Sequence, residues 1–287
     1  MKFIIPCLLL ASGVCMAQVE TPDRTDRRAN ALEWIQKSAE YQVATRQAYL
    51  LAKIQLDQAL QQPSFSADEV QAAAGEFEAL PVAIILDVDE TVLDNSEYNR
   101  RRMQIGAEYD SKSWTAWGKE RIAIPVPGAV EFLDYAQSKG VEVFFVTNRK
   151  DELRNATFDN LVKVGISTTQ DRVLTRNSDE GRGGDKISRR AIVAEKYRIA
   201  LLVGDNFADL TAADRDEFKA APQISAGWVM LPNPVYGYWE TRPEPSTPAP
   251  KAEVVYGTVE SYSFSACRPA IMRCRPAHGC CCRKCRR

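Results

Sequence analysis

Five short apolar runs, separated by helical segments, restrict what this chain can fold into more than any other feature of its sequence. The runs are VAIILDV (82–88), VEVFFVT (141–147), RVLT (172–175), IALLVG (199–204) and GWVML (227–231). Continuous apolar runs rich in β-branched residues are typical of strands that are covered on both faces. Two of the segments between them, AVEFLDYAQSKG (129–140) and ELRNATFDNLVKVG (152–165), read as helices that each end at a glycine. The alternation predicts an α/β fold built on a doubly wound parallel sheet.

A helical segment precedes the first predicted strand. Residues 28–61 contain neither Gly nor Pro, and apolar side chains recur there at nearly helical spacing, at Leu32, Ile35, Ala39, Val43, Ala48 and Leu51. This pattern predicts one long helix or two.

Histidine and cysteine are almost confined to the two ends of the chain. The single histidine is His278, and all eight cysteines lie within residues 1–15 or 267–287. Residues 16–266 therefore cannot supply a Ser-His-Asp triad, a Cys-His pair or a zinc site made of His and Cys ligands. Any chemistry there must rest on carboxylates, lysine, hydroxyls and a hard metal ion.

Residues 1–17, MKFIIPCLLLASGVCMA, have the features of a secretory signal peptide. They carry one positive charge, an apolar stretch too short to span a bilayer, and small residues before Gln18. We expect cleavage after Ala17 and a periplasmic or secreted protein without a transmembrane span. The alternative is an outer-membrane lipoprotein acylated at Cys15, which is disfavoured because Val14 stands where that peptidase requires a small residue.

The other end of the chain changes character after residue 240. The stretch TRPEPSTPAP (241–250) begins a proline-rich arm over residues 241–266, and residues 267–287 form a tail rich in Cys and Arg. We expect the tail to be disordered, because its CCC run does not form two paired ligand clusters; a zinc knuckle is the alternative. The folded domain is then residues 18–240.

The charge of the chain without its ends argues against one class of partner. The ends hold eight of the 37 basic residues and none of the 38 acidic ones, so residues 18–266 carry a net charge of −9. Binding to the backbone of a nucleic acid polymer requires basic clusters and is not expected.

Polar residues cluster at four places near the ends of the predicted strands. In parallel α/β folds, ligands bind beyond the carboxyl ends of the strands. They are Asp87, Asp89, Glu90 and Thr91 after the first strand; Thr147, Asn148 and Arg149 after the second; Lys186 before the helix that leads into the fourth; and Asp205, Asn206 and Asp209 after the fourth. Carboxylates gathered at one mouth repel one another unless a cation holds them, and an oxygen-only ligand set suits Mg²⁺.

These residue types are sufficient for phosphoryl transfer. A carboxylate beside Mg²⁺, such as Asp87, is a competent nucleophile towards phosphorus, and a lysine and a hydroxyl can neutralise the phosphoryl oxygens. Asp89 could protonate the departing alkoxide and later activate water. No histidine or cysteine is needed.

The quartet resembles the haloacid dehalogenase (HAD) superfamily. More narrowly, DVDETVLDNS (87–96), FFVTNRK (144–150) and GDNFADL (204–210) are similar to the class C, or four-aspartate, bacterial acid phosphatases. The resemblance covers about residues 30–240, including EWIQKSAEYQ, WTAWGKE and NPVYGYWE. It implies a Rossmann-like core with a small helical cap or insertion.

The resemblance also implies a role for each polar residue. Asp87 is the nucleophile and a metal ligand, and Asp89 is the general acid and base with its carbonyl on Mg²⁺. The remaining roles are metal ligand for Asp205, support of the metal site for Asp209, phosphoryl binding for Thr147 and Lys186, and substrate binding for Asn148 and Arg149.

Aromatic residues flank this site in the sequence. Trp114 and Trp117 lie between the first and second strands, and Tyr236 follows the fifth. In the family, aromatic residues at these places form a clamp on the leaving group, on which a nucleobase could stack. The alternative is that they only pack in the core or a lid.

We interpret the chain as an exported, Mg²⁺-dependent acid phosphatase that cleaves small phosphomonoesters, with a preference for 5′-nucleotides, through a phosphoaspartate. Two alternatives stay open: a narrow sugar phosphatase of the same superfamily, and a non-catalytic binding or storage protein. The sequence also leaves homodimer formation open.

Overall fold

The computed structural model describes residues 27–177, 186–212, 224–237 and 239. The predicted signal peptide, the proline-rich arm and the cysteine-rich tail all lie outside these residues. Of the segment EGRGGDK (180–186), only Lys186 is described. The boundaries given above for the signal peptide, the arm and the tail therefore rest on the sequence alone.

The N-terminal segment forms two helices and a short third one, α1 (Arg27–Lys37), α2 (Ala39–Leu60) and α3 (Glu69–Ala74). The break between α1 and α2 falls at Ser38, whose hydroxyl accepts a hydrogen bond of 3.0 Å from the Tyr41 amide. A serine in this position caps a helix N-terminus and starts a new helix. Of the two possibilities left open by the sequence, two helices is correct.

The buried face of α2 contains hydroxyl side chains. Val43 and Leu51 are 53% and 47% exposed, whereas the buried side chains include Tyr41, Thr45, Tyr49, Ala52, Leu56 and Ala59. Hydroxyls are tolerated in this core because they find partners. Thr45 donates to the Tyr41 carbonyl at 2.9 Å, and Tyr49 donates to the Thr91 carbonyl. On α1, Leu32 and Ile35 are buried.

Within the described ranges, seven strands make up two sheets. In chain order they are β1 (Val82–Leu86), β2 (Leu93–Asp94), β3 (Ile124–Pro125), β4 (Glu142–Lys150), β5 (Val173–Arg176), β6 (Arg198–Gly204) and β7 (Trp228–Met230). The main sheet has the order β5-β4-β1-β6-β7 and is parallel throughout. Its five members are the five predicted strands, so the α/β prediction is confirmed.

Six further helices surround this sheet. They are α4 (Ser96–Gln104), α5 (Ser111–Glu120), α6 (Ala129–Ser138), α7 (Arg154–Lys163), α8 (Ile187–Ala194) and α9 (Phe207–Leu210). Single 3₁₀ turns cover Asp151–Leu153 and Gln170–Arg172. Helices α4 and α5, with the antiparallel pair of β2 and β3, form a small insertion between β1 and β4.

Alternate residues of β1 face opposite layers of the core. Ile84 and Leu86 pack with Leu56 of α2 and Phe132 of α6, whereas Ile85 packs with residues that include Val193 of α8. Both faces of the strand are therefore covered, as its continuous apolar sequence requires. Burial of each such side chain contributes roughly 1.5–3 kcal/mol to folding.

None of the helices in the described ranges is long and apolar enough to cross a membrane. Because β1, β4 and β6 run parallel, Asp87 and Asp205, which directly follow β1 and β6, lie at the same edge of the sheet as Arg149 in the last part of β4.

Candidate active site

Asp87 and Asp205 lie side by side because their strands are neighbours. The Asp87 amide donates to the Val203 carbonyl at 2.9 Å, so the pairing of β1 with β6 continues one residue past β1. Asp205 follows the last residue of β6, Gly204. The fold thus brings together two carboxylates that are far apart in the sequence.

Asp209 completes a cluster of three carboxylates. Oxygens of Asp87, Asp205 and Asp209 all lie within 4.8 Å of one another. The Lys186 ammonium pairs with Asp87 and, at 2.7 Å, with Asp209. All four residues are largely shielded from water, so within the described structure a single lysine faces three carboxylates at close range.

The pKa values in the cluster reflect this excess of negative charge. Burial raises the pKa of Asp87 to about 7; the Lys186 cation opposes this rise, and the Asp209 and Asp89 carboxylates add to it. Burial, together with Asp209 and Asp87, raises the pKa of Asp205 well above its usual value. Burial would lower the pKa of Lys186, but Asp209 and Asp87 raise it above the ordinary value.

An oxygen-only donor set that is short of positive charge fits a hard divalent cation such as Mg²⁺. Asp87 and Asp205 are the side chains that would hold the ion. The expected contribution of Asp89 is its main-chain carbonyl, and this assignment stays a prediction.

Asp209 is committed to protein partners through both carboxylate oxygens. Oδ1 pairs with Lys186, and Oδ2 accepts a 2.9 Å hydrogen bond from the Asn206 amide in the capping box of α9. A Cβ on Gly204 would lie 2.3 Å from the Cβ of Asp209, so only glycine fits beneath it. Asp209 thus holds Lys186 in place, and its expected support of the metal site stays a prediction.

Two neighbours of Asp205 had no role assigned from the sequence. Asn233 donates to one carboxylate oxygen at 2.8 Å, and the Thr91 hydroxyl donates to the other at 3.3 Å. Asn233 is the first residue of NPVYGYWE, a segment included in the family resemblance. Nothing else in the sequence pointed to this residue.

Asp89 is held away from the carboxylate cluster by a buried arginine. Arg149 donates to Asp89 Oδ1 through Nη2 at 2.8 Å and through Nε at 3.0 Å, and its side chain is 1% exposed. Asn95 donates to the same oxygen at 2.9 Å. Arg149 was predicted to bind substrate; in the structure it lines the cavity, but its main partner is Asp89.

Thr147 lies beneath this pair. It is fully buried, its hydroxyl lies 3.4 Å from Asp89 Oδ2, and it accepts a 3.2 Å hydrogen bond from the Arg149 amide. Its expected contact with the phosphoryl group stays a prediction.

Glu90 is a further buried carboxyl beside the site. It has a left-handed backbone with φ of 56°, which is uncommon for a residue with a side chain. One carboxyl oxygen accepts from the Asn95 amide at 3.0 Å, and the other contacts the Tyr236 hydroxyl. Tyr236 thereby links the segment after β7 to the turn after β1.

One cavity of about 620 Å³ opens onto the carboxylate cluster. It is lined by most of the residues predicted for the site, namely Asp87, Asp89, Trp114, Asn148, Arg149, Lys186, Asp205, Asp209 and Tyr236. The two aromatic residues come from separate segments, so the expectation that they share one mouth agrees with the structure.

Trp117 does not take the predicted position. It is 4% exposed and is absent from the described lining of the cavity, and its indole N–H donates to Asn95 Oδ1 at 2.8 Å. A packing role thus replaces the predicted substrate contact. Asn95 in turn donates a hydrogen bond to Asp89, so Trp117 positions Asn95 and, through it, Asp89.

Comparison with known proteins agrees with this geometry. The family described as HAD superfamily, subfamily IIIB (Acid phosphatase), matches residues 11–239. The chain belongs to this family. The class C acid phosphatase from Bacillus anthracis has a similar structure, with 32% sequence identity and a TM-score of 0.64, over 75% of this chain and 87% of that one. The structure of that class C enzyme with tungstate bound gives 32% identity and a TM-score of 0.63, over 76% and 88% of the two chains.

Two plant proteins are similar to this chain at lower identity. Acid phosphatase 1 of Solanum lycopersicum is 26% identical over 155 residues, which is 53% of this chain and 57% of that protein. Vegetative storage protein 2 of Arabidopsis thaliana is also 26% identical, over 53% of this chain and 55% of that protein. The chain thus spans a little over half the length of these curated relatives. The resemblance to class C acid phosphatases stated from the motifs is confirmed.

Proposed function

We propose that the protein is a Mg²⁺-dependent phosphomonoesterase that acts through a phosphoaspartate on Asp87. The observation that carries the proposal is the cluster of Asp87, Asp205 and Lys186 at the floor of an open cavity. Membership of the acid phosphatase family supports it.

The residues of the cluster divide the reaction between them. The ammonium of Lys186 attracts the phosphoryl oxygens and holds Asp87 beneath them. An oxygen of Asp87 attacks phosphorus, the bond to the leaving oxygen breaks, and Asp89 donates a proton to that oxygen. Asp89 then accepts a proton from water, which attacks the phosphoaspartate and restores Asp87. A bound Mg²⁺ would neutralise charge on the phosphoryl group.

Removal of divalent metal tests this proposal. With p-nitrophenyl phosphate as substrate, we expect EDTA to lower the specificity constant of the full chain roughly hundredfold, because a metal contributes several kcal/mol to charge stabilisation. Addition of excess Mg²⁺ should restore the activity. Undiminished hydrolysis by protein shown to be free of metal would contradict the metal requirement, and no hydrolysis with Mg²⁺ present would contradict the function.

The second outcome would favour a storage protein, the name borne by one of the plant relatives. Two features of this chain favour catalysis. Asp87 and Asp89 are both retained, and both line the cavity. A protein that only binds or stores has no need of a nucleophile and a proton donor in one site.

For the substrate we propose 5′-nucleotides. Trp114 and Tyr236 line the cavity that contains Asp87, and Trp114 is the more available of the two, because Tyr236 is tied to Glu90 through its hydroxyl. A nucleobase that stacks on an aromatic side chain gains about 1–3 kcal/mol, with little dependence on the base.

Substitution of these aromatic residues checks the preference. We expect Trp114→Ala to lower the ratio of the specificity constants for AMP and glycerol phosphate about tenfold, since roughly 1.4 kcal/mol of stacking is lost. Tyr236→Ala should act in the same direction. Tyr236→Phe is the matched control, because it removes the contact with Glu90 and keeps the ring. An unchanged ratio in both Ala variants would assign these residues to packing alone.

The location is a further proposal. The signal-like sequence of residues 1–17 supports export to the periplasm or the medium, with Gln18 as the first residue of the mature protein. The lipoprotein alternative at Cys15 and the formation of a homodimer stay open.

A further inference from the structure

Arg102 of α4 occupies an unusual place in the wall of the cavity. Its guanidinium lies between two aromatic rings, 5.2 Å from the ring centre of Tyr98 and 5.9 Å from that of Tyr109. Stacking of this kind fixes the plane of a guanidinium and leaves its edges for hydrogen bonds.

The hydrogen bonds of Arg102 are incomplete. Nη2 donates to Asn99 Oδ1 at 3.0 Å, whereas Nε and Nη1 are buried and meet no acceptor among the residues that the structure describes. Buried donors without an acceptor are costly, and in native proteins they usually have a partner. These two donors belong to a cation, and Arg102 lines the cavity. An anionic group in the cavity is therefore the acceptor that suits them best.

A row of aromatic rings and guanidinium groups in contact with one another connects Arg102 to the catalytic end of the cavity. The Arg149 guanidinium lies 5.6 Å from the ring centre of Trp114, and the Trp114 and Tyr98 rings are 5.0 Å apart. Arg102 follows Tyr98 in this row. It therefore lies on the same wall of the cavity as Asp89. The contacts run from Arg149 to Trp114, from Trp114 to Tyr98 and from Tyr98 to Arg102.

The charges in the cavity are arranged in two zones. The carboxylates of Asp87, Asp205 and Asp209 are gathered around Lys186. Near Arg102 the wall also contains Arg176, which is close to Tyr109: partial burial raises the pKa of the Tyr109 phenol, and the Arg176 cation opposes that rise. The cavity lining also contains Glu108, the residue before Tyr109, which pairs with Arg28 at 3.1 Å. Arg102 and Arg176 therefore leave this zone with an excess of positive charge.

We propose that Arg102, assisted by Arg176, forms a second anion site that takes a second phosphate group of the same substrate. The proposal rests on the proposed phosphomonoesterase function and narrows its substrate class to bisphosphorylated small molecules such as nucleoside bisphosphates. One phosphate lies at Asp87, and the other accepts hydrogen bonds from Nε and Nη1 of Arg102. Trp114 and Tyr98 lie between them.

Access to the two donors requires a small movement. Tyr109, which covers one face of the guanidinium, is 59% exposed and lies between α4 and α5. In the proposed complex, a shift of this exposed residue opens the edge of the guanidinium. Nε and Nη1 donate in the plane of the group, so the second phosphate binds at that edge.

The experiment compares adenosine 3′,5′-bisphosphate with AMP in the full chain with Mg²⁺. We expect the wild type to have a specificity constant about tenfold higher for the bisphosphate, and Arg102→Gln to bring the ratio close to one, as loss of a charge-assisted hydrogen bond implies. Arg102→Lys should retain part of the preference, because it keeps the charge and loses the planar fork. Identification of the products shows which phosphate is removed.

Arg101→Gln is the matched control. Arg101 is the preceding residue of α4, pairs with Glu97 and Glu120, and is not among the described residues that line the cavity. This variant should keep the wild-type ratio. A ratio that is the same in the wild type and in Arg102→Gln overturns the proposal, and so does an equal loss of the preference in the Arg101 variant.

A binding measurement separates this proposal from the proposed function. If the wild type fails to hydrolyse p-nitrophenyl phosphate with Mg²⁺, the phosphatase proposal fails, and calorimetric titration with AMP and the bisphosphate still tests the second site. Tighter binding of the bisphosphate that Arg102→Gln abolishes would support it. Equal affinities for the two ligands would overturn it.

Discussion

Asp87→Asn is expected to lower kcat by at least about four orders of magnitude, because the amide cannot act as the nucleophile and no other group replaces it. The loss should be similar for p-nitrophenyl phosphate and for AMP, since both need the same attack on phosphorus. Phosphate release in the presence of excess Mg²⁺ measures it. Activity within tenfold of the wild type would remove Asp87 from the role of nucleophile.

The stability of this variant is the control for folding. The pKa of Asp87 in the folded protein is raised from 3.8 to about 7. A raised carboxyl pKa means that ionisation above pH 4 favours the unfolded chain, so without metal this carboxylate destabilises the fold at neutral pH. The isosteric, neutral Asn removes that penalty. Without metal, the variant should therefore unfold at no lower temperature than the wild type.

Asp89→Asn is expected to separate substrates by their leaving groups. AMP and glycerol phosphate release alkoxides that need a proton, so their turnover should fall by about three orders of magnitude. The p-nitrophenolate ion leaves without protonation, and its release should fall much less. The comparison of kcat on the two kinds of substrate is the measurement.

The surroundings of Asp89 make this test sensitive. Arg149 and Asn95 hold the carboxylate oxygen through three hydrogen bonds, and an Asn side chain can keep only some of them. A loss from disturbed geometry would affect all substrates alike. Equal losses on both kinds of substrate would therefore count against Asp89 as the general acid.

The strands and the residues that follow them were predictable because each apolar run is continuous and ends abruptly at a polar cluster. The order β5-β4-β1-β6-β7, which was not predicted from the sequence, then brings Asp87 next to Asp205. The buried face of α2 was not predictable in this way. Thr45 and Tyr49 become core residues only because backbone carbonyls accept their hydroxyl hydrogens, and one of those carbonyls belongs to the distant residue Thr91.

The supporting residues of the site were also beyond the sequence. Asn95 occurs within a motif that was recognised, yet its contacts with Asp89 and Trp117 depend on how α4 and α5 fold back on β1. Trp114 and Trp117 are three residues apart on α5 and so lie on the same side of the helix. Both pack with the main core, but Trp117 is buried and Trp114 only partly so, which leaves Trp114 to line the cavity. Periodicity alone does not distinguish a cavity wall from a core face when both are aromatic.

The central position of β1 also determines when this protein can complete its folding. Ala83 pairs with Glu142 on one side and with Ile199 on the other, so the middle of the sheet is built from segments that are distant along the chain. A nascent chain that has not yet released β6 from the ribosome has an unpaired edge on β1 and lacks Asp205. Pairings of this range form slowly, because a long loop must close before they gain any stability. The fold and its carboxylate cluster therefore arise together, late in synthesis or after it.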